Sequence, residues 1–227
     1  QDNGAIYNEP VLDVPVIFQH EAGLLGTAST SNHIYLYFTE SLSGLDEAGH
    51  ENSRNVVYQY DWDGEKLTNP ILIKELPVIG EGGFHSHHGG VVTKGQNGEV
   101  YFVIGDQNQH GVFQNIPSGP IYETGSIFKI DTESDNSVEL FAMGIRNSFG
   151  LAVDPVTGYL WETENGLDKF DEINLVKPGF NSGWVSVMGP VDRVGSDLST
   201  LNPKPFENFV YSDPEFSWYR TVAPTAI

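Results

Sequence analysis

Asn147-Ser148-Phe149-Gly150-Leu151-Ala152-Val153, followed after a Thr157-Gly158 turn by Tyr159-Leu160-Trp161-Glu162-Thr163, is a pair of apolar runs that the chain has already used twice. Glu21-Ala22-Gly23-Leu24-Leu25-Gly26 leads in the same way to Tyr35, and His87-His88-Gly89-Gly90-Val91-Val92 leads to Tyr101. The aromatics Tyr35, Tyr101 and Trp161 are 66 and 60 residues apart, and Glu21, His87 and Asn147 repeat the same two steps. A fixed period marks a repeat architecture. Repeats that place Glu21, His87 and Asn147 equivalently aim all three at one shared axis, which is how a radial fold builds one site from several blades.

Working outward, the remaining signals are those of short strands. Ile34–Thr39, Val56–Tyr60, Glu99–Ile104, Ile127–Ile130 and Tyr159–Thr163 are β-branched or aromatic runs, bounded by Asp63-Gly64, Asn97-Gly98 and Thr157-Gly158. No window keeps a helical period over three turns. The predicted fold class is therefore all-β, a β-propeller built of four-stranded blades. The period exceeds the about 40–45 residues of a compact blade, so some connections are long. Ser41 to Arg54 and Gln107 to Thr124 are the two that qualify, and long loops on one face of a rigid scaffold shape sites. Ala223-Pro224-Thr225-Ala226-Ile227 reads as the start of a fourth copy. The expectation is one incomplete propeller domain over residues 1–227, covering three to four blades. An open sheet edge is a liability, so the chain is read as a piece of a longer protein, or as one that closes by self-association.

Composition narrows the partners. The 227 residues carry 11 Lys and Arg against 31 Asp and Glu, a net charge of −20. Such a surface repels nucleic acid and anionic lipid. No apolar run is long enough to span a membrane. The absence of cysteine excludes disulfides, thiolate nucleophiles and Cys-based metal centres. The chain opens at Gln1, as a processed secreted protein or a piece of one would.

Four segments carry residues suited to chemistry. His85-Ser86-His87-His88 places three histidines in four positions. In an extended segment at most two of them share a face, so a zinc site competes with a packing or surface role. Asp106 ends the next strand and can return beside His87, where its carboxylate would orient the imidazole as a general base; a turn-capping Asp is the alternative. Arg146 is one of four arginines. At an axial slot of an acidic protein it suits an anion or a developing oxyanion, or else a structural ion pair. Glu164-Asn165-Gly166-Leu167-Asp168, with Asp171-Glu172-Ile173-Asn174-Leu175, is an oxygen-rich loop of the kind that holds a hard cation, with the Gly166 and Leu167 carbonyls as ligands and the acids tying the loop down.

These segments together resemble the soluble quinoprotein glucose/sorbosone dehydrogenase family, which includes the PQQ-dependent aldose sugar dehydrogenases. The carrying residues are Gly23-Leu-Leu-Gly26, His87-His-Gly-Gly90, Ile104-Gly-Asp-Gln107, Gly144-Ile-Arg-Asn147 with Gly150-Leu-Ala152, Glu164-Asn-Gly166, Asp171 to Leu175, and Asn181-Ser-Gly-Trp184. The resemblance implies a six-bladed propeller with pyrroloquinoline quinone (PQQ) over the axis, and oxidation of an aldose at C1 to the lactone with hydride passing to the quinone. It implies His87 as the base, Asp106 as its orienter, Arg146 as the stabiliser of charge on the quinone oxygen, Asn147 and Glu21 as cofactor contacts, and the Gly166 and Leu167 carbonyls as ligands of Ca2+. Gln109 and His110 fall where substrate contacts vary, and a separate electron acceptor and secretion to the periplasm or outside the cell are implied as well. Leu167 stands where the family often has Pro, which leaves the carbonyl in place. Further cationic cofactor contacts of the family lie in blades beyond this chain. Two other readings share the same residues: a cofactor-free propeller binding module, and a calcium-dependent lactonase-like hydrolase with Glu21, Asn147 and Asp106 on the metal.

Overall fold

The structure is a computed structural model and describes residues 6, 8–79, 86–201 and 204–227. Four strands form the first blade: β1 (Leu24–Ser29), β2 (His33–Ser41), β3 (Ser53–Trp62) and β4 (Leu67–Leu76), paired antiparallel in chain order. The second blade repeats this with β5 (Val92–Lys94), β6 (Val100–Ile104), β7 (Ser126–Ile130) and β8 (Val138–Met143). The third begins with β9 (Ser148–Val153), β10 (Leu160–Glu164) and β11 (Asp171–Val176). There the chain departs from simple meandering. It crosses to the outer edge of the second blade as β12 (Phe180–Asn181) and β13 (Val210–Tyr211), both parallel, and returns as β14 (Phe216–Trp218) to complete the third blade against β11. These are three blades of a β-propeller, with the innermost strands β1, β5 and β9 in contact in that order.

Side-chain alternation explains why the blades stack. A strand presents successive residues to opposite faces. On β6, Val100, Phe102 and Ile104 pack with Tyr35, Tyr37, Val57 and Leu76 of the first blade. Tyr101 and Val103 face the other way, into a cluster with Leu151, Leu160 and Val176 of the third blade. A strand apolar on both faces is the mark of a sheet covered on both sides, and all five residues of β6 are buried. The first blade follows the same rule: Tyr35 and Tyr37 face the second blade, whereas Leu36 and Phe38 face a separate cluster with Leu12, Val14 and Val16.

Glycine permits the close approach of the inner strands. A Cβ on Gly26 would lie 2.1 Å from the Gly90 carbonyl oxygen, and one on Gly105 would lie 2.4 Å from that of His87. The backbone of Ala226 and Ile227 comes up to Gly150 in the same manner. The expected fourth copy is therefore placed as an inner strand would be, but residues 219–227 form no strand. The His87 segment also differs from its expectation. It is a turn, not an extended run, with His87, Gly89 and Gly90 at φ of 62°, 59° and 93°.

The third blade buries a polar face. The β10–β11 register sets Glu162 opposite Asn174 and Glu164 opposite Glu172, and all four are at most 2% exposed. Asn174 Nδ2 donates to Glu162 at 3.4 Å and to Glu172 at 3.3 Å, Ser182 donates to Glu164, and the Gly189 N–H donates to Glu172. Burial, reinforced by the charge of Glu172, pushes the Glu162 carboxyl up to about 8. Burial and the charge of Glu164 push Glu172 up to about 8 as well, and Glu164 is raised by burial and Glu162. A carboxyl whose folded pKa is raised gives stability that is complete below its ordinary value of 4.5 and is lost as pH climbs through about 8. Stability is thus expected to fall between pH 6 and pH 8.5. Glu162→Gln should remove part of that fall, on the order of 1–2 kcal/mol. Urea midpoints of both proteins at the two pH values measure it; an identical fall in the variant would show that Glu162 is not protonated in the fold.

Candidate active site

His87 sits in the left-handed turn that precedes β5, and its unusual backbone is held by two side chains. The Glu21 carboxylate accepts the backbone N–H of His87 at 2.6 Å and that of His88 at 3.3 Å. The Tyr37 hydroxyl donates to the His88 carbonyl at 3.3 Å. The His88 ring points into the core, its Nδ1 3.2 Å from Asn55 Oδ1, while His87 faces a cleft. The two imidazoles therefore diverge, and His85 lies outside the described residues. Among the described residues, no three His, Cys, Asp or Glu side chains are arranged to hold a metal ion.

Asp106 lies just past the end of β6 and reaches back as its place in the sequence predicts. Its Oδ1 is 2.6 Å from His87 Nδ1, and its Oδ2 accepts the Trp184 indole N–H at 2.6 Å. Because a carboxylate only accepts, His87 carries its proton on Nδ1 and keeps Nε2 as the basic nitrogen. Burial alone would raise the Asp106 carboxyl, but the nearby imidazole of His110 and the hydrogen bonds from His87 and the Asn108 N–H overcome it and hold the group at about 2. Asp106 thus stays ionised beside His87, the condition for stabilising an imidazolium.

Arg146 and Asn147 occupy the connection from β8 to β9. The Arg146 N–H donates to Glu164 at 2.6 Å, its Nη1 donates to the Asn165 carbonyl at 2.8 Å and the Gly166 carbonyl at 3.2 Å, and its guanidinium lies over Trp184, 5.5 Å from the ring centroid. Burial pushes the guanidinium down, and the carboxylates of Asp106, Glu164, Glu21 and Asp171 pull it back up, so it remains a cation. Asp171 ties the oxygen-rich loop as expected: it accepts the Gly166 N–H at 2.9 Å, and its second oxygen accepts the Ala223 N–H at 2.9 Å. A Cβ on Gly166 would lie 2.3 Å from the Lys169 and Phe170 carbonyls, so only glycine fits there. Asp168 is exposed and takes no part in tying the loop.

One cleft of about 420 Å³ gathers these groups. It is lined by Glu21, His87, Arg146, Asn147, Phe149, Asn165, Gly166, Leu167, Asp171, Thr221, Val222 and Ala223. Of the residues predicted for the site, Glu21, His87, Arg146, Asn147, Gly166 and Leu167 are in this lining; Asp106 stands behind His87, and Gln109 and His110 lie outside it. A larger hollow of about 740 Å³ lies on the outer face of the first blade, among Leu12, Val14, Val16, Leu36 and Phe38; its lining is mostly apolar, with Asp13 and Asp46 as its charged members. Sequence reading met Trp184 only as the end of a resembling stretch. It had no signal for the indole that bonds Asp106 and supports Arg146, nor for Phe149 or the 221–223 wall.

Of the unspent polar atoms in the cleft, Arg146 Nε is a donor that suits an anionic group, whereas the amide oxygens of Asn147 and Asn165 are acceptors that call for an N–H or O–H. Arg146 Nε, Asn147 Oδ1 and Asn165 Oδ1 are buried without a partner among the described residues, and buried polar atoms are normally paired. Arg146 is the only permanent cation among the lining residues. For a hard cation the chain offers the carbonyls of Gly166 and Leu167. The Gly166 oxygen already accepts from Arg146, so a ligand role uses its second lone pair. Glu21, expected as a cofactor contact, is committed through one oxygen to the His87 turn.

The sequence signature described as Glucose / Sorbosone dehydrogenase matches residues 1–227. The chain belongs to this family. Quinoprotein glucose dehydrogenase B of Acinetobacter calcoaceticus is 30% identical over 221 residues, covering 82% of this chain and 45% of that protein. Aldose sugar dehydrogenase YliI of Escherichia coli K12 is 26% identical over 193 residues, covering 77% and 49%. The chain therefore spans about half the length of the curated relatives it matches. Among solved structures, the soluble aldose sugar dehydrogenase of Escherichia coli in its apo form aligns with a TM-score of 0.67 at 21% identity, over 96% of this chain and 65% of that one. The PQQ-bound aldose sugar dehydrogenase of Streptomyces coelicolor aligns with a TM-score of 0.61 at 24% identity, over 90% and 56%. These likenesses agree with the propeller built above from its strands.

Removal of the Glu21 carboxylate tests how the His87 turn is held. Glu21→Ala is expected to destabilise the fold by about 1–3 kcal/mol, because two buried amides lose their acceptor, and to speed hydrogen exchange at the His87 and His88 amides. Glu21→Gln keeps an acceptor and should restore most of both. Unchanged exchange in Glu21→Ala would mean that the turn is held without Glu21.

Proposed function

We propose that the protein to which this chain belongs is a PQQ-dependent dehydrogenase that oxidises an aldose at C1 to the lactone. The observation that supports it is the convergence on one cleft of a His–carboxylate pair and a buried cation with unspent hydrogen-bonding capacity. Arg146 and Asn147 would hold the cofactor, with Asn165 beside them, and the Gly166 and Leu167 carbonyls would hold a Ca2+ against it. PQQ, when bound, supplies the two-electron hydride acceptor that no side chain of this cysteine-free chain can provide.

The chain's own residues supply the rest. His87 Nε2 takes the proton of the anomeric hydroxyl as the C1–H bond breaks, and Asp106 keeps Nδ1 protonated and the ring aimed. The imidazolium that forms is stabilised by a carboxylate that is already ionised. Arg146 places fixed positive charge where negative charge develops, within a low-dielectric setting that makes such a charge effective. A separate electron acceptor completes the cycle, and secretion to the periplasm or beyond belongs to the same reading. No described helix is long and apolar enough to cross a membrane.

The test is a titration with PQQ and Ca2+, followed by aldose-dependent reduction of a dye, on this chain and on one extended to the length of its relatives. Dye reduction is expected from the extended protein and should fall about 10²–10⁴-fold in His87→Ala, with PQQ affinity largely kept. Asp106→Asn should lose a similar factor. Absence of PQQ binding in the extended protein would end the dehydrogenase reading, and undiminished turnover in His87→Ala would remove His87 as the base.

A further inference from the structure

Asp106 serves a second imidazole. His110 Nε2 lies 3.6 Å from Asp106 Oδ2, the same oxygen that accepts the Trp184 indole N–H. The His110 ring stands edge-on to Trp184 with centroids 5.8 Å apart, so the contact is seated by an aromatic wall. Asp106 is 1% exposed, whereas the His110 side chain is 45% exposed. A continuous line therefore runs from the cleft through His87 and the buried carboxylate to an imidazole in solvent. Among the described residues, the other charged groups near this line are Arg146, on the β8–β9 connection and stacked on Trp184, and Glu21, whose carboxylate accepts the His87 N–H; Glu164 and Asp171 lie on the far side of Arg146. Trp184 itself contributes an uncharged donor.

We propose that His110 is a positioning residue for the His87–Asp106 pair: it competes with His87 for the Asp106 carboxylate, so that its state of protonation sets how firmly the base is held. The inference rests on reading His87 as the base, but the coupling itself belongs to the chain without any cofactor. The Asp106 carboxylate raises the proton affinity of His110 against the opposing effect of partial burial. Below the His110 midpoint the imidazolium draws on Oδ2, and the carboxylate is shared. Above that midpoint His110 is neutral and releases Asp106 to His87 and Trp184. Linkage is reciprocal, so whatever His87 gives up to His110 is the same free energy that His110 gives up to His87.

Nitrogen-resolved NMR of the histidine rings and the Trp184 indole N–H in the cofactor-free chain tests this directly. The His110 midpoint is expected above the ordinary value of about 6.5. It should rise by roughly 0.5 unit in His87→Gln, where His110 is the one imidazole left on Asp106 beside the Trp184 indole and the Asn108 N–H, and fall by at least as much in Asp106→Asn. The Trp184 indole resonance should move with the same midpoint and lose that movement in His110→Gln, a surface substitution that keeps the fold testable if Asp106→Asn does not fold. A His110 midpoint unchanged by His87→Gln, together with an indole resonance that titrates unaltered in His110→Gln, would overturn the proposal. The arms separate the two readings. Coupling in the free chain without dye reduction by the extended protein would sink the dehydrogenase reading alone. Dye reduction whose pH profile is unmoved by His110→Gln would sink this one alone.

Discussion

A carboxylate that is 1% exposed has to find donors for both of its oxygens, and the site is arranged around that requirement at Asp106. One oxygen takes the His87 ring and the Asn108 N–H, and the other takes the Trp184 indole. The Asp106 N–H in turn donates to the Arg146 carbonyl at 2.8 Å. One residue thereby fixes the imidazole, the segment that carries the cation and the aromatic ring beneath that cation. Left unpaired in a low-dielectric interior, the same carboxylate would be protonated and would orient nothing. The constellation is thus bound to form as a unit.

That unit needs the propeller. His87 enters from the inner edge of the second blade, Asp106 from the far end of its next strand, Arg146 from the link to the third blade, and Trp184 from the excursion that crosses back to the outer edge of the second. Only face-to-face stacking of sheets apolar on both sides brings these four together, and only glycine at positions such as Gly26 and Gly105 lets the inner strands crowd close enough. The departure from simple meandering is functional in the same sense: without the passage through β12 and β13, no indole would reach Asp106. The Asp171 carboxylate does comparable work on the other side of the cleft, joining the Gly166 loop to the 221–223 wall.

Much of this was legible in residues alone. The 66- and 60-residue steps announce a radial repeat, and the β-branched and aromatic runs mark β2, β3, β6, β7 and β10 within a residue or a few at each end. The slot residues Glu21, His87 and Asn147 do reach one cleft, because equivalent positions in a rotational repeat must face one axis. Pairing of Asp106 with His87 follows from strand geometry as well, since the end of a second strand returns beside the start of the first. The turn at His87 was not legible: a left-handed φ at a histidine is imposed by Glu21 and by the glycines after it, and a propensity argument favours extension there. The final segment was read as the start of a further copy, and Ala226 and Ile227 do lie against Gly150 as an inner strand would.

Sequence by itself determined the architecture, the axial slots and the chemical character of the site, because periodicity and residue type are local properties that survive without knowledge of distance. Tertiary structure alone decided that Glu21 supports the His87 turn, that Trp184 links the carboxylate to the cation, and that His110 lies 3.6 Å from the carboxylate that pairs with His87. Each of these depends on contacts across tens of residues, set by how blades pack and not by any pattern along the chain. Hydrogen bonds and ring contacts act only over a few ångströms, so roles that arise from them appear only once the chain is folded.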